Sequence, residues 1–272
     1  MGGAELLGVI KRGKSGADVD RQFASTLGRG LEILRCFTAS EPVLGNKDIA
    51  QRTGLPKPTV SRLTYTLTQL GYLRHLVRPS KYELGSAVLS IGYPLLANIK
   101  VRQLARLAMK ELAEHARGWV SLGMRERLSM VYIETSRSRE VLDSKPDIGQ
   151  TFPIIMSAMG RAYLAGLEAG EREAAINHIK VKTPDIWVKH SRKVEASLVD
   201  YRMRGFCLHH GDYNPHVHTV AVPMRKRGDR DILVFNCVVP AHAAGRGQLE
   251  EDFGPRLVEL TRSVELMLDH EL

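Results

Sequence analysis

The chain has 272 residues, of which 43% are hydrophobic, and it carries three cysteines and a net charge of +9. That length and apolar content allow one large core or two ordinary ones, and point to a soluble globular protein. The odd cysteine number, with no CxxC pair, argues against a disulfide scaffold, and no apolar run approaches the roughly 18 residues of a membrane helix, so the expected location is a reducing cytoplasm.

The charge is unevenly distributed. Residues 1–82 hold thirteen Lys or Arg against six Asp or Glu (13 − 6 = +7), whereas residues 83–272 hold 26 against 24, or +2. A small basic module joined to a nearly neutral larger one suits a polyanion-binding domain followed by a sensing or catalytic domain.

Residues 1–24 lack hydrophobic periodicity and are expected to form a flexible basic tail. Within them GVIKRGKS, Gly8 to Ser15, matches the phosphate-loop pattern, but neither the apolar strand before it nor the apolar helix after it is present. From Ser25 a helix is predicted with Leu27, Leu31, Leu34 and Phe37 facing inward. A short second helix starts at Asn46, expected as its cap, and stops at Gly54. A third covers GLPKPTVSRLTYTLTQLGYL, with Pro58 in its first turn and Val60, Leu63, Leu67 and Leu70 as its inward stripe.

That stripe leaves Lys57, Thr59, Ser61, Arg62, Tyr65 and Thr66 on or beside the outer face, in the part of a helix that enters a major groove in helix-turn-helix docking. Two short strands around a basic tip follow, a wing on which Arg74, Arg78 and Lys81 are expected to hold backbone phosphates. The DNA-binding domain is thus placed at 25–84, with a linker helix over 85–103. Residues 86–117 read as helical, with Leu89, Leu96, Leu104, Leu107 and Leu112 apolar and Pro94 expected to kink the helix or end its first segment. Residues 104–272 are assigned to effector binding and oligomerisation. Strand-like runs at 119–124, 128–133, 217–224 and 231–239, the last two joined through Gly228-Asp229, alternate with helical stretches at 157–169, 171–180, 189–204 and 248–270, which suggests an α+β sheet domain.

The chain resembles the IclR family of bacterial transcriptional regulators through LGRGLEILRCF, NKDIAQRTGLPKPTVSRLTYTLTQLGYL, KYELGSAVLSIG, FPIIMSAMGRAYLA and GFCLHHGDYNPHVHTVAVPMR. The resemblance implies a winged helix-turn-helix, a linker helix, a C-terminal GAF-like α/β domain that binds a small organic acid, and homodimers or tetramers on double-stranded operator DNA. It places effector contacts at Ala158 and Met159 in the helix start, with Met156 beside them, and at Thr219, Asn236 and Val238. Trp119 stands where the family often has an acidic residue, and the last strand reads VFNCVVPA where small side chains are usual, which implies a different or narrower cavity.

A competing chemistry lies in HHGDYNPHVH, where His209, His210, Asp212, His216 and His218 could furnish His and carboxylate ligands for a metal sensor or a metal-dependent hydrolase. No nucleophile elbow accompanies Ser144 or Asp147, and Cys237 reads as an apolar filler. The expectation is therefore no catalytic residue, no cofactor and no metal.

Overall fold

The computed structural model describes residues 22–140, 147–228 and 231–270; the phosphate-loop match at Gly8–Ser15 lies outside them. The chain divides between Asn98 and Ile99 into two compact units.

In the first unit, α1 (Ser25–Leu34), α2 (Asn46–Thr53) and α3 (Lys57–Gln69) pack around Ile33, Cys36, Phe37, Ile49, Val60, Leu63 and Leu67. A hairpin of β1 (Leu73–Leu76) and β2 (Lys81–Leu84) follows, with Arg74 opposite Glu83 and His75 opposite Tyr82. Tyr82 also exchanges backbone bonds with Leu44, so the loop before α2 joins the small sheet. Gly54 ends α2 at φ +67°, a left-handed conformation that glycine adopts without steric cost.

Three expectations for this unit need correction. Leu27 and Leu31 are 65% and 51% exposed; α1 buries Gly30 and Ile33 and the chain just beyond buries Cys36 and Phe37, so the inward face is turned from the leucine stripe. Leu70 is likewise exposed, because the helix ends at Gln69 and the chain turns at Gly71. Asn46 does not cap α2. Gly45 occupies that position, with its N–H donating to Asp48 Oδ2 at 2.9 Å, while Asn46 Oδ1 accepts from Thr64 Oγ1 at 3.3 Å and ties α2 to α3.

The helical stretch in which Pro94 is expected to make a kink or an end divides into two helices. α4 (Ala87–Ala97) contains Pro94, which offers no N–H to the preceding turn; the helix ends one turn later, where Asn98 Nδ2 donates to the Pro94 carbonyl at 2.7 Å. α5 (Val101–His115) then begins, burying Val101, Ala105, Met109, Leu112 and Ala113, whereas Leu89 and Leu107 are exposed. Small residues at Ala105 and Ala113 let α5 lie close to the sheet beneath it, a selection that hydrophobicity alone does not reveal.

The second unit is built on a six-stranded antiparallel sheet in the order β5-β4-β3-β8-β7-β6. Its strands are β3 (Trp119–Glu126), β4 (Ser129–Arg137), β5 (Thr151–Pro153), β6 (Cys207–His210), β7 (Val217–Pro223) and β8 (Val234–Pro240). Helix α6 (Ala158–Gly166) lies on one face with α7 (Ala169–Lys182) and α8 (Pro184–Arg204) beside it; α5 and α9 (Gly254–His270), the latter entered through a π turn at Leu249–Phe253, cover the other face. The pairing of β7 with β8 is as expected. The edge strands β5 and β6 are additions: three residues and the polar run CLHH are too short and too irregular in alternation to read as strands without partners.

Gly160 sits in the first turn of α6, where a Cβ would overlap the Ile154 backbone. Gly160→Ala should therefore destabilise the chain by about 1–3 kcal/mol. Gly170→Ala, where nothing lies within 4 Å, should stay within about 0.5 kcal/mol of the parent. Urea unfolding midpoints of the two variants test the contrast.

Candidate nucleic-acid interface and ligand site

Helix α3 is two-faced for a simple reason. Val60, Leu63, Thr64 and Leu67 recur at three to four residues and are buried, so the intervening positions must face outward. Lys57, Ser61, Arg62, Tyr65 and Thr66 are exposed and Thr59 is half-buried, which brings the predicted polar set onto one accessible surface. The hydroxyls are not equivalent: Thr66 Oγ1 donates back to the Arg62 carbonyl at 3.1 Å, and buried Thr64 does the same to Val60 at 3.0 Å.

The wing divides its cations. Arg74 is ion-paired with Glu83 on the facing strand, so part of its charge is already neutralised. Arg78 is exposed at the tip, and Lys81 is half-buried at the start of β2. Composition could not separate Arg52 from these: its guanidinium donates to the Cys36 carbonyl at 2.8 Å and pairs with Glu41, holding the end of α1 to α2. Burial pushes the Cys36 thiol up to about 11, so it stays protonated in this core.

In the second unit, the residues expected to meet an effector come from separate parts of the sequence but gather on the sheet face beneath α6. The strand register sets Trp119 opposite Val238 and Ser121 opposite Asn236 on one side, and Thr219 opposite Val238 on the other. Gly123, two residues beyond Ser121, faces Met159 so closely that a Cβ there would overlap its sulfur. Ser157 caps α6, with its Oγ accepting from Gly160 N–H at 3.1 Å; the Ala158 and Met159 amides have no acceptor among the described residues. Such amides and the helix dipole favour a carboxylate. Met156 is half-buried just before the helix.

Sequence reading missed Tyr132 and Ser121. Asn236 Nδ2 donates to the Tyr132 hydroxyl at 2.9 Å, and Ser121 shares a hydrogen with Thr135 at 3.1 Å. Tyr132 is legible only once β4 has a register, because a bulge opposite Leu122 and Gly123 resets which of its side chains face α6. Burial pushes the Tyr132 phenol up to about 12. A cavity of about 420 Å³ opens elsewhere, lined by Arg125, Tyr163, Leu167, Glu171 and His178, and contains none of the six residues predicted from sequence.

The histidine run is dispersed by the fold. His209 is buried, and its Nε2 faces the Met156 carbonyl at 3.0 Å, so that nitrogen carries the proton; burial, then Arg161, lowers its pKa to about 4. Asp212 is held by Arg161 at 3.0 Å and Lys193 at 2.6 Å. His210 and His218 meet edge-on at 5.4 Å, and His210 lies 3.6 Å from Glu250. Among the described residues no group of three or more His, Cys, Asp or Glu could hold a metal ion, and no helix is long and apolar enough to cross a membrane.

Residues 26–76 match the IclR helix-turn-helix domain, and residues 94–263 match the domain described as bacterial transcriptional regulator IclR C-terminal. The chain is 32% identical over 242 residues to the HTH-type transcriptional regulator TsaQ1/TsaQ2 of Comamonas testosteroni, covering 88% of this chain and 87% of that one. The crystal structure of an IclR family transcriptional regulator from Brucella abortus is 40% identical, with a TM-score of 0.82 over 94% of this chain and 95% of that one. An IclR homolog from Microbacterium hydrocarbonoxydans, complexed with 4-hydroxybenzoate, shares the fold at 20% identity and a TM-score of 0.69, over 90% and 99% of the two chains. With a packed helix-turn-helix unit, a six-stranded effector-type unit and matches to both halves, the chain belongs to the IclR family of DNA-binding bacterial transcriptional regulators.

Proposed function

We propose that the chain is a ligand-responsive regulator, a repressor or an activator, of a bacterial catabolic operon, acting as a homodimer or tetramer and sensing a small organic acid, aromatic acids included. The observation that carries the DNA half is α3: its apolar positions are taken up by the core, and among the described residues Lys57, Ser61, Arg62 and Tyr65 are left exposed, free to meet a duplex. In this reading α3 enters the major groove, Arg62 contacts a base edge or a phosphate, and Thr59 and Ser61 make shorter contacts. Arg78 and Lys81 hold the backbone from the wing, and Arg74 contributes a charge shared with Glu83.

The effector half rests on the α6 face. Its unpaired Ala158 and Met159 amides offer a carboxylate site, and Met156, Thr219, Asn236 and Val238 surround the same face. The homolog that binds 4-hydroxybenzoate supports an aromatic acid as a class. The ligand controls DNA binding by favouring one of two arrangements of the oligomer; a ligand with equal affinity for both would change nothing.

Footprinting on the intergenic DNA beside the chain's own gene, with and without candidate acids, tests the whole reading; no protection at low salt would overturn it. Arg62→Ala should weaken binding to that fragment by about 1–3 kcal/mol with an unchanged circular dichroism spectrum. If Arg62, Arg78 and Lys81 of two protomers each meet one phosphate, log K should fall against log salt with a slope of about −5. Arg78→Ala should make that slope shallower by about 2 units, and an unaltered slope would remove the wing from the interface.

A further inference from the structure

The cavity of about 420 Å³ opens at the C-terminal end of α6, and its walls follow from helical spacing. Tyr163 and Leu167 stand one turn apart, and Glu171, Ala174, Ala175 and His178 recur at three to four residues along one face of α7. The two alanines leave open a space that larger side chains would fill. The remaining wall is Arg125, near the end of β3, with Lys226, Asp231 and Ile232 from the connection between β7 and β8. Gly123 pairs with Val234, and Arg125 and Ile232 each lie two residues beyond that pair. Between this cavity and the start of α6, buried Met159 packs on Gly123 and fills the layer. The volume is that of a small-molecule site, roughly 300–1,000 Å³.

Arg125 is set apart from the other arginines of this unit. Arg102, Arg161 and Arg225 each meet a carboxylate, whereas half-buried Arg125 has none among the described residues. Its Nε donates to the Arg127 carbonyl at 2.9 Å and its Nη1 to the Tyr163 hydroxyl at 3.4 Å, with the guanidinium 5.9 Å from the centre of that ring. Three of its five N–H groups are left to donate. Tyr163 is 2% exposed, and its hydroxyl, having accepted from Arg125, has a hydrogen with no acceptor among the described residues. Donors from a cation and a buried phenol thus lie together, which is the arrangement that receives a carboxylate.

The acidic side chains of the same cavity restrict what that carboxylate may belong to. Glu171 is ion-paired with Lys226, so those two charges answer each other. Asp231 has no hydrogen bond or ion pair among the described residues. A simple acid would satisfy Arg125 and face Asp231 with a like charge, and a dicarboxylate would double that repulsion. An amine would satisfy Asp231 and oppose Arg125. A zwitterion answers both, and an α-amino acid carries its two charges on one carbon. Leu167, Ala174, Ala175 and Ile232 then offer apolar surface to its side chain.

We propose that this cavity is a second ligand site, separate from the face at the start of α6, and that it takes an α-amino acid with an apolar side chain. Arg125 and Tyr163 hold the carboxylate and Asp231 receives the ammonium group. The assignment does not draw on the effector reading given under Proposed function, and the two can fail independently.

Titration calorimetry of the full chain with L-leucine and L-phenylalanine, beside 4-methylpentanoate and 3-phenylpropionate, which lack the nitrogen, and L-leucinamide, which lacks the carboxylate, tests it. At least one amino acid should bind with a Kd below about 1 mM and at least about tenfold more tightly than its truncated counterparts. Arg125→Gln should weaken it at least about tenfold with an unchanged circular dichroism spectrum, Asp231→Asn should erase the preference over the acid lacking nitrogen, and Asn236→Ala should leave it as it is. Crystals of the parent chain grown with free L-selenomethionine test the place without any substitution, since the selenium signal should lie between Tyr163 and Ile232. If neither amino acid binds in that range, if a truncated form binds as tightly, if Arg125→Gln binds like the parent, or if selenium is absent from the cavity, the assignment is overturned. Binding that survives Arg125→Gln and is lost in Asn236→Ala also overturns it, and places the amino acid at the start of α6.

Discussion

Three glycines let helix α6 pack closely against the sheet and the chain that leads into it. Gly160 faces the Ile154 carbonyl, Gly123 faces the Met159 sulfur, and Gly166 faces Pro223. A Cβ at Gly160 would meet backbone that cannot easily yield, because packed interiors transmit a displacement of a methyl group's width. The close approach buries Arg161 almost completely.

Burying Arg161 constrains the electrostatics around it. Its Nε donates to the Ile155 carbonyl at 3.0 Å and its Nη1 to Asp212, which Lys193 also contacts. Next to that cation, and in the same desolvated region, His209 stays neutral and spends its proton on the Met156 carbonyl. Both bonds end on the two residues just before Ser157, so the approach to the α6 N-terminus is held by a buried cation on one side and a neutral ring on the other. On the opposite sheet face, buried Glu134 pairs with Arg102 at 3.1 Å and Arg106 at 3.2 Å. Buried pairs of this kind contribute geometry more than net stability, since their attraction is largely offset by desolvation. They fix the first turns of α5 against β4, the strand that also carries Tyr132.

The first unit applies the opposite electrostatic logic. Its buried core residues are apolar apart from Thr64, and Lys57, Arg62 and Arg78 lie exposed at its surface. Arg52 and Arg74 are ion-paired with Glu41 and Glu83. The regional +7 already subtracts Glu41, and Glu83, just past residue 82, lowers it by one more, so these pairings decide where the positive field lies more than how large it is.

Much of the molecule was legible in the residues themselves. The three short helices, the hairpin wing, the bare polar face of α3 and the pairing of the last two long strands all follow from patterns that repeat within one element, at 3.6 or 2 residues, or from turn residues such as Gly54 whose preference is local. The residue set proposed beneath α6 comes from family resemblance, not from spacing. What the chain order could not contain is which of several apolar stripes is buried: Leu27, Leu31, Leu89 and Leu107 are as hydrophobic as Ile33 and Met109, and only packing against a particular neighbour separates them. The same holds for Arg52, Arg74 and Tyr132. Periodicity is a property of one segment, whereas a charge pairing, a strand register shifted by a bulge, or a buried atom left without a partner depends on two or more segments meeting, and that meeting exists only in the folded chain.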